Sequence, residues 1–536
     1  MASPMTEKLS ITLPQMLAKS AAADTGAAIV YDGKTFSYRE LEAHSKRVAA
    51  GLAANGIGIG DRVAFWLPNT PEYLVLYFAC ARLGAITVAV NTRFRASEVE
   101  DVLGRTGAKA LVMWPGFRGI DFVGILEEVD KAALSKLEIA ILYSEGGEFA
   151  GPLPCATKTL SYSELLDAGN HELDVAVPKL GCNMFTTSGT TKAPKFVLHS
   201  HASMAVHAAE VAIDFGYADP ATVVHQDMPL CGVFGITGVL ATIAAARTLV
   251  LTSAFDADRT AALMGKYKVT HFDGSDEMID RLMRATDRED IFERVNFAGY
   301  AIFNSYLDDI VERAERRGLY AVGLWGMSEM QALVTRRDRG DPVDKRKKGG
   351  GRLVSPRAEA RVRDPETGAL CGEGVAGELE IRGPSRMTEY YDNPEATADT
   401  LTDDGFVRTG DLAQMEPGGG SFEYLTRMGD VLRLGGFLVS PAEIEAEVQA
   451  HPSISGVQVV SAPSGGADRA IAFVVPEVGA TIEEAQLQAH CAARLAKYKV
   501  PARVVSLDAF PVTESANGIK IQRAKLREMA IDILAS

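Results

Sequence analysis

The chain has 536 residues, of which 47% are hydrophobic and 23% charged, and its formal net charge is −15 at neutral pH. Single cores rarely grow beyond about 250 to 300 residues, so this length predicts several domains, and the apolar content excludes a mainly disordered chain. The acidic excess disfavours nonspecific binding to nucleic acid or to anionic membranes. The six cysteines include no Cys-x-x-Cys pair, a pattern typical of reduced thiols in a cytoplasmic protein and not of a disulfide or zinc framework.

The N-terminal part and the longest uncharged stretch predict no membrane segment. The first twenty residues carry Glu7 and Lys8 and lack a continuous apolar run, so we expect no secretory signal there. The uncharged stretch at 230–246 is interrupted by glycines and is too short and too weakly apolar to span a bilayer. It predicts a loop that leads into a buried helix. We therefore do not expect an integral membrane protein.

Strand-like and helix-like runs alternate through the first 400 residues. The pattern predicts strands at 62–67, 85–90 and 108–113, with helices at 72–83 and 97–106 between them. This order predicts parallel sheets covered by helices.

The same rhythm continues further along the chain. Apolar runs at 243–251 and 269–272 predict strands, and 258–266 predicts the helix between them. From 349 to 428 the segments become short and are interrupted by glycine and proline turns, which predicts a β-rich subdomain.

The C-terminal unit begins near Gly429. Ser440 is followed by proline, alanine and glutamate, an order that predicts a helix with a capping box. The predicted fold class is α/β, with a large N-terminal domain of layered sheets and helices at 1–428 and a small mobile α+β domain at 429–536. The β-rich subdomain occupies about 349–428 of the larger domain.

One segment carries the pattern of a phosphate-binding loop. Residues 184–196 read Met-Phe-Thr-Thr-Ser-Gly-Thr-Thr-Lys-Ala-Pro-Lys-Phe. A glycine with two hydroxyl residues directly on each side, and with lysine nearby, offers the backbone N–H groups, hydroxyl donors and cation that a polyphosphate needs. The segment is not a Walker A loop, whose spacing is absent. Taken alone, such a composition is also common in ordinary turns.

Five motifs in a fixed order make the chain resemble the superfamily of adenylate-forming enzymes, which includes acyl-CoA synthetases, adenylation domains and luciferases. The resemblance extends over nearly the whole chain, from Thr35 to Arg527. The motifs are Thr187-Ser-Gly-Thr-Thr-x-x-Pro-Lys195, Trp325-Gly-Met-Ser-Glu329, Thr409-Gly-Asp411, Arg427-x-x-Asp430 followed by Gly435-Gly436, and Lys520-Ile-Gln-Arg523.

The resemblance implies acid–thiol ligation. In this family a carboxylate attacks the α-phosphate of ATP to give an acyl-adenylate and pyrophosphate, and a thiol then displaces AMP. The implied cofactors are ATP or acyl-AMP, Mg²⁺ and coenzyme A. Negative charge accumulates on phosphate oxygens in the first step, so preorganised cations and donors should dominate catalysis.

The resemblance also implies roles for individual residues. Trp325 would stack on adenine, Asp411 would bind the ribose hydroxyls with help from Arg427, and Glu329 would hold Mg²⁺. The alternatives are that Trp325 is a core residue and that Asp411 only caps a turn. The implied catalytic residues are Lys520, Glu329 and Thr190. The other implied nucleotide-binding residues are Thr187, Ser188, Gly189, Thr190, Thr191, Lys195, Gly299, Tyr300, Ala301, Gly326, Met327 and Ser328.

Two further sites follow from the family's architecture. The C-terminal unit rotates between the half-reactions, and Gly429 corresponds to the hinge, where glycine admits a wide range of backbone conformations. Gly435 and Gly436 would lie beside the thiol channel, although a simple turn would also explain the pair. The acyl pocket would be formed by Cys231, Gly232, Val233, Phe234, Tyr300 and Gly326.

The chain also departs from the family pattern. Gly232 stands where relatives often have histidine or an aromatic residue, which favours a bulky hydrophobic acid. Lys192 and Phe196 replace glycines of the phosphate loop. Near the C-terminus, Asn517-Gly-Ile-Lys520 has one residue more between glycine and lysine than the family motif. In an extended segment, such a slip sends a side chain to the opposite face.

These departures lead to the hypothesis that adenylation is weak or missing and that thioester formation from a preformed acyl-AMP is the main step. A separate adenylating enzyme would then supply the acyl-AMP. The alternatives are a complete two-step acyl-CoA synthetase, an enzyme that loads a carrier protein, and a noncatalytic adenylate-binding protein. The expected partners are a small carboxylic acid or its adenylate and CoA, with no nucleic acid.

Overall fold

The computed structural model describes residues 11–23, 25–145, 153, 156–169, 174–187, 194–288, 290–303, 307–434, 437–464, 467–495, 497–515 and 518–535. The helices of this part of the chain are α1 (Leu13–Ala22), α2 (Tyr38–Ala54), α3 (Pro71–Leu83), α4 (Ala96–Thr106), α5 (Phe122–Glu127), α6 (Tyr162–Leu166), α7 (His201–Asp214), α8 (Val233–Ala244), α9 (Ala257–Tyr267), α10 (Asp276–Ala285), α11 (Ile310–Arg316), α12 (Val343–Arg346), α13 (Pro394–Thr400), α14 (Pro441–Gln449), α15 (Glu484–Ala492) and α16 (Arg523–Ala535).

The strands are β1 (Ala28–Tyr31), β2 (Lys34–Ser37), β3 (Arg62–Trp66), β4 (Ile86–Ala89), β5 (Ala110–Met113), β6 (Ile139–Leu142), β7 (Lys158–Ser161), β8 (Gly181–Thr186), β9 (Phe196–Ser200), β10 (Val223–Gln226), β11 (Thr248–Leu251), β12 (His271–Ser275), β13 (Phe297–Ala301), β14 (Ala321–Met327), β15 (Gln331–Arg336), β16 (Gly350–Leu353), β17 (Glu359–Arg363), β18 (Gly377–Arg382), β19 (Glu389–Tyr390), β20 (Val407–Met415), β21 (Ser421–Arg427), β22 (Leu432–Leu434), β23 (Phe437–Val439), β24 (Ile454–Ser464), β25 (Ala467–Pro476), β26 (Arg503–Ser506), β27 (Val512–Ser515) and β28 (Gly518–Ile521).

The larger sheet has thirteen described strands in the order β17-β18-β20-β21-β16-β15-β14-β13-β12-β10-β11-β1-β2. Strands β1, β11, β10, β12, β13 and β14 run parallel to their neighbours in this series. From β14 outward the pairing is antiparallel, so the segment predicted to be a β-rich subdomain continues the same sheet. The carboxyl ends of the parallel strands meet at one edge, where open α/β sheets usually bind ligands.

A second sheet has the order β19-β9-β8-β4-β3-β5-β6-β7, and the phosphate-loop segment joins its antiparallel strands β8 and β9. The two sheets share a core, because Phe65 of β3 and Leu249 of β11 belong to one buried apolar cluster. Helix α3 is buried over its whole length within this cluster. A helix with no face in water can be apolar on most sides, and the only charged residues of α3 are Glu72 and Arg82.

Most predicted elements are confirmed. Strands β3, β4 and β5 and helices α3 and α4 coincide with the predicted positions to within one or two residues. The strand predicted at 243–251 is wrong at its start, since α8 continues to Ala244 and β11 begins at Thr248. A short apolar run does not by itself distinguish a buried helix from a strand.

The capping box predicted at 440–443 is wrong, although α14 begins at Pro441 as predicted. The Ser440 hydroxyl donates to the Leu425 carbonyl instead of capping the helix, at 3.2 Å. Glu443 forms an ion pair with Lys499. Both side chains therefore bind residues distant in the sequence instead of the first turn of α14.

The remaining residues form a small mixed unit. Beyond the turn at Met428–Asp430, three small sheets and α14 to α16 surround two apolar clusters of their own. The α/β fold class, with its large N-terminal and small C-terminal parts, is confirmed, while the domain boundaries stay predictions. No helix in the described ranges is both long and apolar enough to cross a bilayer.

Candidate active site

The two ends of the phosphate-loop segment are hydrogen-bonded to each other. The Thr187 amide donates to the Lys195 carbonyl at 2.9 Å, and the Lys195 amide donates to the Thr187 hydroxyl at 3.1 Å. The hairpin of β8 and β9 therefore holds both ends in place. The predicted residues Ser188, Gly189, Thr190 and Thr191, and the departure at Lys192, lie outside the described residues.

Tyr390 brings Lys195 and Glu329 together. The Lys195 ammonium lies 4.4 Å from the centre of the Tyr390 ring, and the Tyr390 hydroxyl donates to Glu329 Oε1 at 2.6 Å. Strand β19 positions Tyr390 by pairing with β9, opposite Val197. Burial raises the pKa of Tyr390, and the charge of Glu329 raises it further. The phenol therefore stays protonated and acts as the donor that orients the carboxylate.

A second cluster joins Trp325, Asp411 and Arg427. The indole N–H donates to Asp411 Oδ2 at 2.9 Å, and Arg427 Nε lies 3.1 Å from Asp411 Oδ1. Asp411 and Arg427 are opposite each other in β20 and β21, so the sheet register fixes their pairing. Asp411 thus has a tertiary role beyond a turn cap. Burial raises the pKa of Asp411 and the charge of Glu329 adds to the rise. Burial lowers the pKa of Arg427, but Asp411 and Glu329 both raise it, so the three charges interact.

The Trp325 indole packs in the core of the sheet. Its ring meets the Phe422 ring edge-on, with 5.5 Å between ring centres, and only 7% of the residue is exposed. Packing and its bond to Asp411 both position this side chain. Stacking on adenine stays a prediction.

The backbone next to Trp325 is unusual. Gly326 is exposed between the buried Trp325 and Met327, and the pairing of β14 with β15 is irregular there. Gln331, which starts β15, has φ 66°, and its side-chain amide donates to the Ser203 and Ser385 carbonyls. A positive φ strains the backbone of a non-glycine residue, and such strained residues cluster at functional sites.

The segment before this strained position is held from two sides. His199 Nε2 lies 2.7 Å from the Ser328 carbonyl, and the Met387 amide donates to the Glu329 carbonyl at 2.7 Å. Burial lowers the pKa of His199 to about 4, so its ring is neutral and can donate from Nε2. These contacts fix the backbone that carries the Glu329 carboxylate.

Tyr300 lies on the opposite face of the sheet from Gly299, and its assignment to the acyl pocket stays a prediction. Neighbouring residues of a strand alternate between faces. A side chain at Gly299 would meet Asp273, whereas the pKa of the buried Tyr300 responds to Asp276 and Glu312. The side of the sheet covered by α8 therefore carries Gly299, and Tyr300 packs in the core on the other side.

Four other predicted acyl-pocket residues lie at the beginning of α8, and Gly326 lies in β14. Gly232 is the N-cap of α8, Cys231 and Val233 are half-buried, and Phe234 is buried. Burial raises the pKa of the Cys231 thiol to about 12, so this cysteine stays protonated and is not a thiolate nucleophile. The start of α8 follows the carboxyl end of β10, which pairs with β12, and β12 pairs with β13.

The structure describes the predicted hinge residue Gly429 and the backbone, but not the side chain, of Lys520. Gly429 lies in the turn after β21, a β-carbon there would meet nothing within 4 Å, and its carbonyl accepts a bond from Arg527 at 2.5 Å. Lys520 belongs to β28, where its backbone pairs with Thr513. Its side chain lies outside the description, as do Gly435 and Gly436.

The described residues fit the kind of magnesium site that the resemblance implies. Among them, no three His, Cys, Asp or Glu side chains form a metal-binding group. Mg²⁺ commonly binds through one or two carboxylates together with phosphate oxygens of the substrate. Glu329, oriented by Tyr390 and close to Lys195, offers such a single carboxylate.

Asp411 should give nucleotide binding a pH dependence. Burial raises its pKa to about 6 while Arg427 opposes the rise, and Glu329 and Glu378 add to it. The carboxylate is ionised above this pH, so we expect the KM for ATP to increase about tenfold per pH unit below it. The measurement is the KM between about pH 5 and pH 8 in wild type and in Asp411→Asn. The variant should have a high, pH-independent KM, and an equal rise in both would contradict the assignment.

Comparison with known proteins gives matches over nearly the full chain. Residues 17–391 match the family model of the AMP-binding enzyme, and 443–517 match that of the AMP-binding enzyme C-terminal domain. The chain is 29% identical to the putative acyl-CoA synthetase YngI of Bacillus subtilis over 99% of each protein. It is 31% identical to triostin synthetase I of Streptomyces triostinicus, over 94% of this chain and 91% of that protein. The crystal structure of ATP-bound MatB from Rhodopseudomonas palustris superposes with a TM-score of 0.82 at 27% identity, covering 98% of this chain and 100% of that chain.

Proposed function

The chain belongs to the AMP-binding enzyme family of adenylate-forming enzymes, in its acyl-CoA ligase branch, and from this premise we propose that it activates its own acid with ATP and then transfers the acyl group to coenzyme A. The enzyme is an acid–thiol ligase. The observation that carries the proposal is the convergence of Lys195 and Glu329 with Asp411 and Arg427 around the end of β14.

In the first step, a carboxylate oxygen of the acid attacks the α-phosphorus of ATP. The bond to the bridging oxygen of the β-phosphate breaks, and pyrophosphate leaves with the electron pair. Lys195 balances the developing charge on the phosphate oxygens, which is where fixed cations contribute most to catalysis. Asp411 accepts the ribose hydroxyls, and Arg427 keeps the Asp411 carboxylate ionised and oriented.

In the second step, the sulfur of CoA attacks the acyl carbon and AMP leaves. The family's lid rotation between the steps requires a pivot, and we assign it to Gly429. Arg527 of α16 binds the Gly429 carbonyl and pairs with Asp430 at 2.8 Å, so it holds the turn that carries the pivot. These contacts lie within the C-terminal unit and move with it.

Restricting the pivot should separate the two half-reactions. We expect Gly429→Pro to lower thioester formation about tenfold or more, because proline fixes φ and an added barrier of about 1.4 kcal/mol already gives this factor. Gly429→Ala is the matched control, since the space around this position is open. The measurement compares ATP–pyrophosphate exchange with acyl-CoA production. Equal thioester rates in the proline variant and the alanine control would contradict the pivot.

A second candidate function is thioester formation from acyl-AMP supplied by a separate adenylating enzyme. It is favoured by the extended backbone of β28, because the extra residue before Lys520 then changes the alternation of positions along the strand. The departure at Phe196 no longer supports it. Phe196 is buried in an apolar cluster, where a phenyl ring has a packing role.

Exchange of labelled pyrophosphate into ATP, driven by a panel of carboxylic acids without CoA, tests the proposal. We expect acid-dependent exchange, followed by acyl-CoA and AMP when CoA is added. Acyl-CoA formed only from supplied acyl-AMP would overturn self-activation in favour of the second candidate. Transfer to a holo carrier protein but not to CoA would indicate a loading enzyme. Binding of acyl-AMP without any transfer would indicate a binding protein.

A further inference from the structure

Asp273 is a buried carboxylate whose oxygens form no hydrogen bond of normal geometry with the described residues. It lies in β12 and is 1% exposed. On the adjacent strand β10, the side-chain N–H₂ of Gln226 likewise has no partner, while its oxygen accepts a bond from the Met228 amide at 2.7 Å. Unpaired buried polar groups are costly, so an acceptor and a donor left unpaired side by side require an explanation.

The two groups face the same side of the sheet. Gln226, Asp273 and Gly299 are opposite one another in β10, β12 and β13 and therefore share a face. A glycine lies next to each of the two polar side chains. A β-carbon at Gly299 would lie 2.6 Å from Asp273 Oδ1, and one at Gly238 of α8 would lie 2.6 Å from Gln226 Nε2 and 3.9 Å from Asp273 Oδ2. The polar pair thus lies between α8 and the sheet.

This place adjoins the predicted acyl pocket. Asp273 and Gly299 are each two residues before the carboxyl end of their strand, one layer below the edge where ligands bind. Gly238 is four residues, about one helical turn, beyond Phe234 on the same helix. The polar pair therefore lies deeper than the half-buried residues at the start of α8.

We propose that Asp273 and Gln226 form the inner end of the acyl pocket and select a carboxylic acid that carries an amino or hydroxyl group away from the carboxylate that is activated. This inference rests on the proposed function and specifies its substrate class. A hydroxyl or a neutral amino group can donate to Asp273 and accept from Gln226, which satisfies both unpaired groups at once, whereas an ammonium group can only donate to Asp273. The acid is then bulky, as the absence of a side chain at Gly232 indicates, but it is not wholly hydrophobic.

The electrostatics agree with a neutral or a cationic donor. Burial raises the pKa of Asp273 to about 7, the nearby Gly299 amide opposes the rise, and no described Lys, Arg or His forms an ion pair with this carboxylate. The side chain can therefore ionise when an ammonium group binds, or share a proton with a hydroxyl. A purely hydrocarbon acyl group would leave both polar groups unpaired.

The test measures binding separately from catalysis. Pairs of sulfamoyl-adenosine analogues of acyl-AMP, with and without an amino or hydroxyl group on otherwise identical acyl chains, are titrated calorimetrically into the full-length protein. We expect the wild type to bind the donor-bearing member about 10- to 100-fold more tightly. Asp273→Leu should abolish or invert this preference with AMP affinity unchanged. Asp273→Asn should keep the preference for hydroxyl groups and lose that for amines.

Thr242→Val is the matched control. Thr242 lies one turn beyond Gly238 on α8, is buried, and donates only to the Gly238 carbonyl. Its replacement should leave the preference unchanged. Removing an unpaired buried carboxylate should not lower the melting temperature of Asp273→Leu, so loss of the fold would not imitate the expected result.

Two results would overturn the inference: equal affinity of the wild type for both members of every pair, or an unchanged preference in Asp273→Leu. A clear preference in the wild type that is lost in Asp273→Leu, combined with no acid-dependent pyrophosphate exchange, would overturn the proposed function alone.

Discussion

Replacing Glu329 by glutamine is expected to lower the rate of acid-dependent ATP–pyrophosphate exchange about 10²- to 10³-fold, the usual effect of losing one preorganised electrostatic group. Glutamine keeps the shape of the side chain and still accepts the bond from the Tyr390 hydroxyl, so the variant removes the charge and little else. Without this charge, the site loses the carboxylate that we propose as the Mg²⁺ ligand beside Lys195. The exchange rate with saturating ATP and acid is the measurement.

Tyr390→Phe is the matched control for Glu329→Gln. It removes the hydroxyl that orients Glu329 but keeps the carboxylate and the ring beneath Lys195. One lost hydrogen bond of about 1 kcal/mol predicts a fall of only about fivefold. Thioester formation from supplied acyl-AMP should be affected less than exchange in both variants, because it needs no pyrophosphate release. Undiminished exchange in Glu329→Gln would remove this residue from the adenylation site.

Replacing Phe196 by glycine, the residue of the family pattern, is expected to lower the free energy of unfolding by about 3 to 5 kcal/mol. The ring is only 2% exposed and packs in the core of the second sheet. The Arg105 guanidinium lies 4.7 Å from the ring centre and donates to the Pro194 carbonyl at 2.8 Å. The substitution therefore removes a core side chain and the support for the end of the phosphate-loop segment.

Denaturant unfolding of Phe196→Gly and of the milder Phe196→Leu gives this comparison. The leucine variant should lose less stability, because it keeps most of the buried volume. Neither variant should increase pyrophosphate exchange, since the side chain packs in the core. A glycine variant that is as stable as wild type and faster in exchange would show that Phe196 obstructs adenylation.

Thr187, Trp325, Asp411 and Arg427 could be selected as candidates because each lies in a local motif of the family, and their roles stay predictions. Tyr390 could not, because it reaches Glu329 only through the pairing of β19 with β9. No local spacing in the sequence indicates that pairing. The sequence showed no more than a tyrosine pair in a segment of short elements.

The sequence also could not predict which side chains of the larger sheet face the acyl pocket. Gly299 and Tyr300 are consecutive, and alternation puts them on opposite faces, but only the position of α8 decides which face borders the acyl pocket. Asp273 was missed for the same reason. An aspartate within an apolar run was the available signal, and its meaning depends on the partners that neighbouring strands provide or withhold.

A crystal structure of the protein soaked with AMP tests the central claim most directly, because it needs no knowledge of the acid. The ribose hydroxyls should lie within hydrogen-bonding distance of the Asp411 carboxylate, and the phosphate should lie between the Thr187 end of the phosphate loop and Lys195. A nucleotide bound away from Asp411, Arg427 and Lys195 would contradict the account.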